Sequence, residues 1–267
     1  MTLFACMCNQ PQRLAEALAP VRPVLVASPP IARWGLAYAQ SGDVLLVRTP
    51  KASSVAVDLA APLAEVSTDC AIGQSIGSTP DGDGLGGTDN TPPFRFRRWM
   101  FALTGQPALE GAAARLVDHV PEYLRRNLKG RTPGELVFHV FLAMLHDEGS
   151  IDDANLPLAA TRRALAATIK LVAAEQANAK LATEGGLGNI VVSNGRSMVA
   201  VRLDHPLKLR KLWIRGERTE RDESFRGVLL VSNGDAGESK EGFEDVPAQR
   251  AVMIARDLSV SLADLSP

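Results

Sequence analysis

The stretch "MFALTGQP", Met100–Pro107, reads as a buried strand that runs into a sharp turn. Four apolar residues lead to one short hydroxyl side chain, then Gly105, then a proline that cannot donate to a sheet. A strand ending in this way presents a small side chain and a backbone N–H at its tip. The segments on either side decide whether Thr104-Gly105 is part of a site or only a turn.

On the N-terminal side the chain is rich in strands. "TLFACMC" is an apolar strand and "QRLAEALAPV" a short amphipathic helix. "WGLAYAQSGDVLLVRTP" is a hairpin about Ser41-Gly42-Asp43, and "AIGQSIGS" is another strand. "TPDGDGLGGTDNTPPF" has no periodicity and reads as a flexible surface loop. "RWMFALTG" follows as the next strand.

After the turn the pattern becomes helical, in "LEGAAARLVDHV", "PEYLRRNLKG" and "TPGELVFHVFLAMLHDEG". The last has Thr132 as N-cap, Pro133 at the first helical position and Glu135 completing a capping box. "NLPLAATRRALAATIKLVAAEQANAKL" is a long helix of good intrinsic propensity. Strands then return. "GNIVVSNGRSMVAVRL" is a hairpin about Asn194-Gly195, and "KLRKLWIRG", "GVLLVSNG" and "QRAVMIARDLSV" supply three more. Strands, helices, then strands argue for an α+β fold with antiparallel sheets and helices on the outer faces. No linker or repeat divides the chain, so residues 1–267 are expected to form one domain.

Composition narrows the function. A net charge of −1 argues against nucleic acid as a partner and against an acidic membrane surface. No apolar run reaches the ~18 residues of a membrane helix, and the first residues lack the features of a signal peptide. The three cysteines, Cys6, Cys8 and Cys70, do not have zinc-site spacing and read as reduced, buried thiols of a cytoplasmic protein.

No cofactor or metal is expected. "GDGLGGTDN" is followed by Pro92-Pro93 rather than a helix, so it is not a phosphate loop. As a calcium loop using Asp81, Asp83 and Asp89 it has Pro92 where the last acidic ligand belongs. His139 and His146 are placed on one helix as partly exposed residues without a second ligand cluster. The basic run around Trp213 reads as a strand with a solvated face. At the start, removal of Met1 would expose Thr2, whose own α-amine could serve as base for its hydroxyl.

Several segments, in order along essentially the whole chain, resemble class II glutamine amidotransferases of the N-terminal-nucleophile hydrolase fold. They are the N-terminal strand, "RWGLAY", "IGQSIGST", "NTPPFRFRRWMFALTGQ", "YLRRNLKGRTPGELVFHVFLAML" and "FEDVPAQRAVMIARDLSV". The resemblance implies a four-layer αββα sandwich of two antiparallel sheets with helices on the outer faces. It also locates a pocket, which departs from the family position by position. The family's nucleophilic cysteine is Thr2. Its Asp-Gly-Trp-Gly is Ala32-Arg33-Trp34-Gly35. Its His-Val-Arg-x-x-Thr, whose arginine holds the substrate carboxylate, is Gln74-Ser75-Ile76-Gly77-Ser78-Thr79. Its Asn-Thr-His-Pro-Phe is Asn90-Thr91-Pro92-Pro93-Phe94. Its oxyanion-hole Ala-His-Asn-Gly is Ala102-Leu103-Thr104-Gly105, and its Gly-Asp-Thr-Asp-Ser-Glu is Gly130-Arg131-Thr132-Pro133-Gly134-Glu135.

Removing one oxyanion donor lowers a rate by roughly 10²–10³. Removing a charged hydrogen bond to a carboxylate forfeits ~1.5–3 kcal/mol. The resemblance therefore implies a pseudoenzyme that has lost glutaminase activity and binds another protein or a small amide ligand. The remnant site would comprise Thr104 and Gly105 with Trp34, Gln74, Ile76, Thr79 and Thr132. The alternatives are a hydrolase with Thr2 as nucleophile and Thr104-Gly105 as oxyanion donors, or a divergent glutamine amidotransferase using the same pocket.

Overall fold

A computed structural model describes residues 1–78, 84–149, 151–179, 186–215, 224–233 and 242–265. In chain order its elements begin with β1 (Thr2–Cys8), α1 (Leu14–Leu18), β2 (Val26–Ala27), β3 (Ile31–Gln40), β4 (Asp43–Thr49), β5 (Val57–Asp58) and β6 (Cys70–Gly77). Then follow β7 (Phe94–Phe96), β8 (Trp99–Leu103), α2 (Ala113–Asp118), α3 (Glu122–Arg125), α4 (Pro133–Glu148) and α5 (Leu158–Asn178). The chain closes with β9 (Ile190–Ser193), β10 (Met198–Arg202), β11 (Lys208–Ile214), β12 (Phe225–Asn233), β13 (Glu244–Asp245), β14 (Arg250–Ile254) and β15 (Val260–Asp264).

Two large sheets form. One has the order β13-β11-β12-β1-β6-β3-β4 and the other β15-β14-β10-β9-β8-β7, with antiparallel pairing throughout. β1 lies inside the first sheet, and all seven of its residues are buried. Strand alternation explains its unbroken apolar run. Leu3, Ala5 and Met7 face the core between the sheets, where they meet Met100, Ala102, Val191 and Ala200 of the second sheet. Phe4, Cys6 and Cys8 face outward onto α1 and the turns after it.

The second sheet's outer face is covered by α4 and α5. Phe138 stacks on Phe101 with centroids 5.1 Å apart, and Phe141 meets Trp99 edge-on at 5.8 Å. Such pairs add about 0.5–1.5 kcal/mol beyond the area they bury. This is the expected αββα sandwich, with unequal outer layers. The layer over the first sheet is short α1, 3₁₀ turns at Pro11–Arg13 and Ala19–Leu25, and the small β2–β5 pair.

The structure corrects four local expectations. "QRAVMIARDLSV" is not one strand: Leu258 takes a left-handed φ of 67° and turns the chain from β14 into β15. The end of the glycine-rich segment is not a loose surface loop. Asn90, Thr91, Pro92 and Pro93 are buried, because Asn90 binds both Gly86 O (2.8 Å) and Arg131 N (2.7 Å) through its side chain. Asp81 and Asp83 lie outside the described residues. Glu135 completes no simple capping box: its carboxylate passes the N-cap and accepts from Lys129 N (3.0 Å) and Gly130 N (2.7 Å). His139 is not partly exposed, since α4 turns it inward, whereas His146 is exposed.

Candidate functional site

At one end of the inter-sheet space, β3, β6 and β8 converge with the turn before β7. Gly35 makes the convergence possible, because a Cβ there would lie 2.5 Å from the Pro92 carbonyl oxygen. The side chain of Gln74, 1% exposed, crosses between the sheets. Its Nε2 donates to the Leu103 carbonyl, and its Oε1 accepts from Leu103 N at 3.4 Å. What remains beside it is a cavity of about 50 Å³. Sites for small organic ligands are usually roughly 300–1,000 Å³, and one water needs about 10–15 Å³ by the same measure. The space suits a few waters.

The expected residues divide between this cavity and other places. Gln74, Ile76, Gly105 and Thr132 line it. Thr2, Trp34 and Thr104 do not. Thr2 shares the outward parity of Phe4 and Cys6, and its backbone N–H donates to Ser75 Oγ at 3.0 Å. The inward parity belongs to Met1, whose Sδ lies 3.9 Å from Gln74 Nε2. Trp34 packs with Leu36 and Tyr38 on the outer core. The Thr104 hydroxyl accepts from Asn189 N (2.8 Å), and Thr104 N donates to Asn189 O (2.9 Å). Thr79 lies outside the described residues.

Gly105 is also required for packing. Its φ is not positive. Glycine is needed there because backbone crosses it: a Cβ would stand 2.1 Å from Gly186 O and 2.5 Å from Leu187 O. Thr132 caps α4 by accepting from Glu135 N at 3.2 Å. Among the described residues lining the cavity, Thr132 carries the only hydroxyl, and there is no thiol.

Two contributors escaped the motif reading. Arg33, 5% exposed, pairs directly across the sheet from Ile76 and donates from Nε to Asn90 O at 2.9 Å. A guanidinium therefore stands one strand away from the expected arginine. Its signal was parity, because Arg33 alternates with Trp34, Leu36 and Tyr38, which face outward. Asn189 is fully buried. Besides Thr104 it binds His205 O (3.0 Å), Ser232 Oγ (2.9 Å) and Leu203 N (2.9 Å). No motif announced it.

Burial dominates the electrostatics. It raises the Glu135 carboxyl above its ordinary value, against the Lys129 and Gly130 amides that favour the charged form. It pushes Cys8 and Cys70 up to about 12, and Cys6 well above its ordinary value. All three thiols are free and buried. Among the described residues no group of three or more His, Cys, Asp or Glu side chains is placed to hold a metal ion.

No family model and no curated protein matches this sequence. Solved structures do. A glutamine aminotransferase class-II domain protein from Silicibacter pomeroyi superposes with a TM-score of 0.59 at 16% identity, over 100% of both chains. A predicted glutamine amidotransferase from Pseudomonas aeruginosa PA01 gives 0.54 at 16% identity, over 97% of this chain and 95% of that one. The chain thus has a class II glutamine amidotransferase-like fold.

Proposed function

We propose that this amidotransferase-like chain, acting as one domain, does not hydrolyse glutamine and works instead by binding a partner. One observation supports this reading: the Gln74–Leu103 bridge spans the gap between β6 and β8, the two segments to which the resemblance assigns the substrate pocket, and the cavity beside it is about 50 Å³. A thiol or free hydroxyl poised at an amide is what nucleophilic hydrolysis requires. The cavity's one hydroxyl, Thr132, already caps a helix.

The binding surface in this reading adjoins the cavity. A groove of about 680 Å³ runs from it along α2 and the start of α4, and shares Leu85, Gln106, Thr132 and Pro133 with it. Leu109, Val117, Leu128 and Leu136 make it largely apolar, which favours an apolar segment of another protein over a polar metabolite. No helix among the described residues is long and apolar enough to cross a membrane, which is compatible with a cytoplasmic location.

The test is ammonia release from glutamine by the purified protein. The expected result is no release above the rate without protein. Release abolished by Thr2→Ala would overturn the reading in favour of an N-terminal threonine hydrolase. The outward parity of Thr2 argues against that alternative.

A further inference from the structure

Each of the two large sheets ends in two edge strands. An edge presents a row of N–H and C=O groups that a strand of another molecule can take up, so proteins shorten, charge or cover their edges. Three of the four edges here are treated in that way. β13 is two exposed acidic residues long. β7 is three residues long, with Arg95 exposed at its centre. β4 is tied to the residues around β7, because Arg95 Nη1 donates to Val44 O (2.5 Å) and Arg48 Nη2 to Pro93 O (2.7 Å).

The fourth edge, β15, has none of these devices. Val260-Ser261-Leu262-Ala263-Asp264 contains no proline and no bulge, and its one charge stands at its end. Ala255 N donates to Ser259 O at 3.0 Å, in register with the β14–β15 ladder. Alternation then turns the main-chain groups of Ser261 and Ala263 toward β14, and those of Val260, Leu262 and Asp264 away from it. The Asp264 carbonyl accepts from Arg162 Nη1 at 2.7 Å on that outer side. The N–H and C=O of Val260 and Leu262 face outward with no strand beside them among the described residues. The Leu262 side chain is 52% exposed.

This strand is complementary to itself. Two copies aligned antiparallel about Ser261 set Val260 of each opposite Leu262 of the other. Both are hydrogen-bonded pairs, so four bonds form and every outward group of the two residues is used. Val252 and Ile254, the β14 neighbours of Leu262 and Val260, point into the core between the sheets. Val260 and Leu262 share that face, so the same alignment makes two apolar cross-strand pairs. Asp264 lies beyond the ladder and is held by Arg250 Nη1 at 2.9 Å, so no like charges meet. A strand uncharged along its paired length selects neither an acidic nor a basic partner, whereas its own sequence meets every requirement it sets.

We propose that β15 is the interface of a homodimer, in which two copies of this chain pair β15 antiparallel about Ser261 and join their six-stranded sheets into one. The full-length protein is sedimented between about 1 and 300 µM, and a dimer with Kd below about 100 µM is expected. L262K should weaken association about tenfold or more while keeping the circular dichroism of the parent, because the side chain it alters is exposed. The register is tested by crosslinking. The native cysteines are all buried, so the thiol introduced by S261C is the accessible one. Across the two-fold it faces its own copy at a Cα separation of about 4.5 Å, within the roughly 4.4–6.8 Å that a disulfide spans. Mild oxidation should therefore link S261C into covalent dimers. S259C should not link, since its two copies are displaced by about 13 Å along the strands. A monomer over the whole concentration range, an L262K variant that dimerises as tightly as the parent, or equal linking of S259C and S261C would overturn the proposal.

Discussion

The Gln74 side-chain amide holds the Leu103 main chain at both its carbonyl and its N–H. This pairing joins β6 of one sheet to β8 of the other and closes the inter-sheet space from within. A primary amide suits the position because it carries a donor and an acceptor side by side, as a peptide group does.

Replacing Gln74 by Leu keeps the volume and removes both bonds. The Leu103 N–H and C=O are then buried without partners, at about 1–3 kcal/mol for each orphaned group. The expected loss is about 2 kcal/mol or more, read as a lower urea midpoint at constant m. A variant as stable as the parent would show that Gln74 fills space and does not bridge the sheets.

Gly105→Ala tests the close crossing of the chain at the tip of β8. The added methyl meets backbone atoms of Gly186 and Leu187 at 2.1–2.5 Å, and backbone cannot move aside as a flexible side chain can. Overpacking of this kind typically destabilises by about 1–3 kcal/mol, and thermal denaturation should show a clear drop in Tm. An unchanged Tm would place the 186–188 segment away from Gly105.

These two residues show how far the sequence was readable. Alternation and turn chemistry gave the strands, the Asn194-Gly195 hairpin and the capped α4, because local rules control them. The αββα arrangement was visible through the order of the segments that carry the resemblance. What escaped depends on partners distant in sequence. Asn189, in "LGNIVV", looks like a polar residue before a strand, yet it ties β8 to the 203–206 turn and to β12. The place of Thr104 in the sequence does not show that its hydroxyl accepts from Asn189 N. The face that Thr2 takes is likewise set by the register of β1 with β6 and β12. Arg33 is brought to the cavity by its pairing with Ile76 on the neighbouring strand, a relationship that no local motif encodes.

The cysteines give a prediction about reactivity. The thiolate is the reactive form, and a thiol with its pKa near 12 is ionised at pH 8 to only about one part in 10⁴. Cys8 and Cys70 are pushed to about 12 by burial, and Cys6 is fully buried and raised further by its thiol neighbours. A thiol-disulfide reagent at pH 8 should label none of the three in the native protein and all three in denaturant. Rapid native labelling of even one would contradict their enclosure.

His139 gives the pH dependence. Burial lowers its folded pKa below the unfolded value near 6.5. As pH falls through that unfolded value, the unfolded chain takes up a proton that the folded chain refuses. Stability therefore declines from pH 7.5 to 5.5, and is greatest above the unfolded pKa, where the ring is neutral in both states. His139→Gln keeps a donor toward Glu135 O but cannot titrate. Other groups contribute alike to both proteins, so the wild type should lose more stability than the variant over this interval. Urea midpoints at the two pH values measure the difference. Equal losses would mean that the ring is protonated as readily in the folded protein as in the unfolded chain.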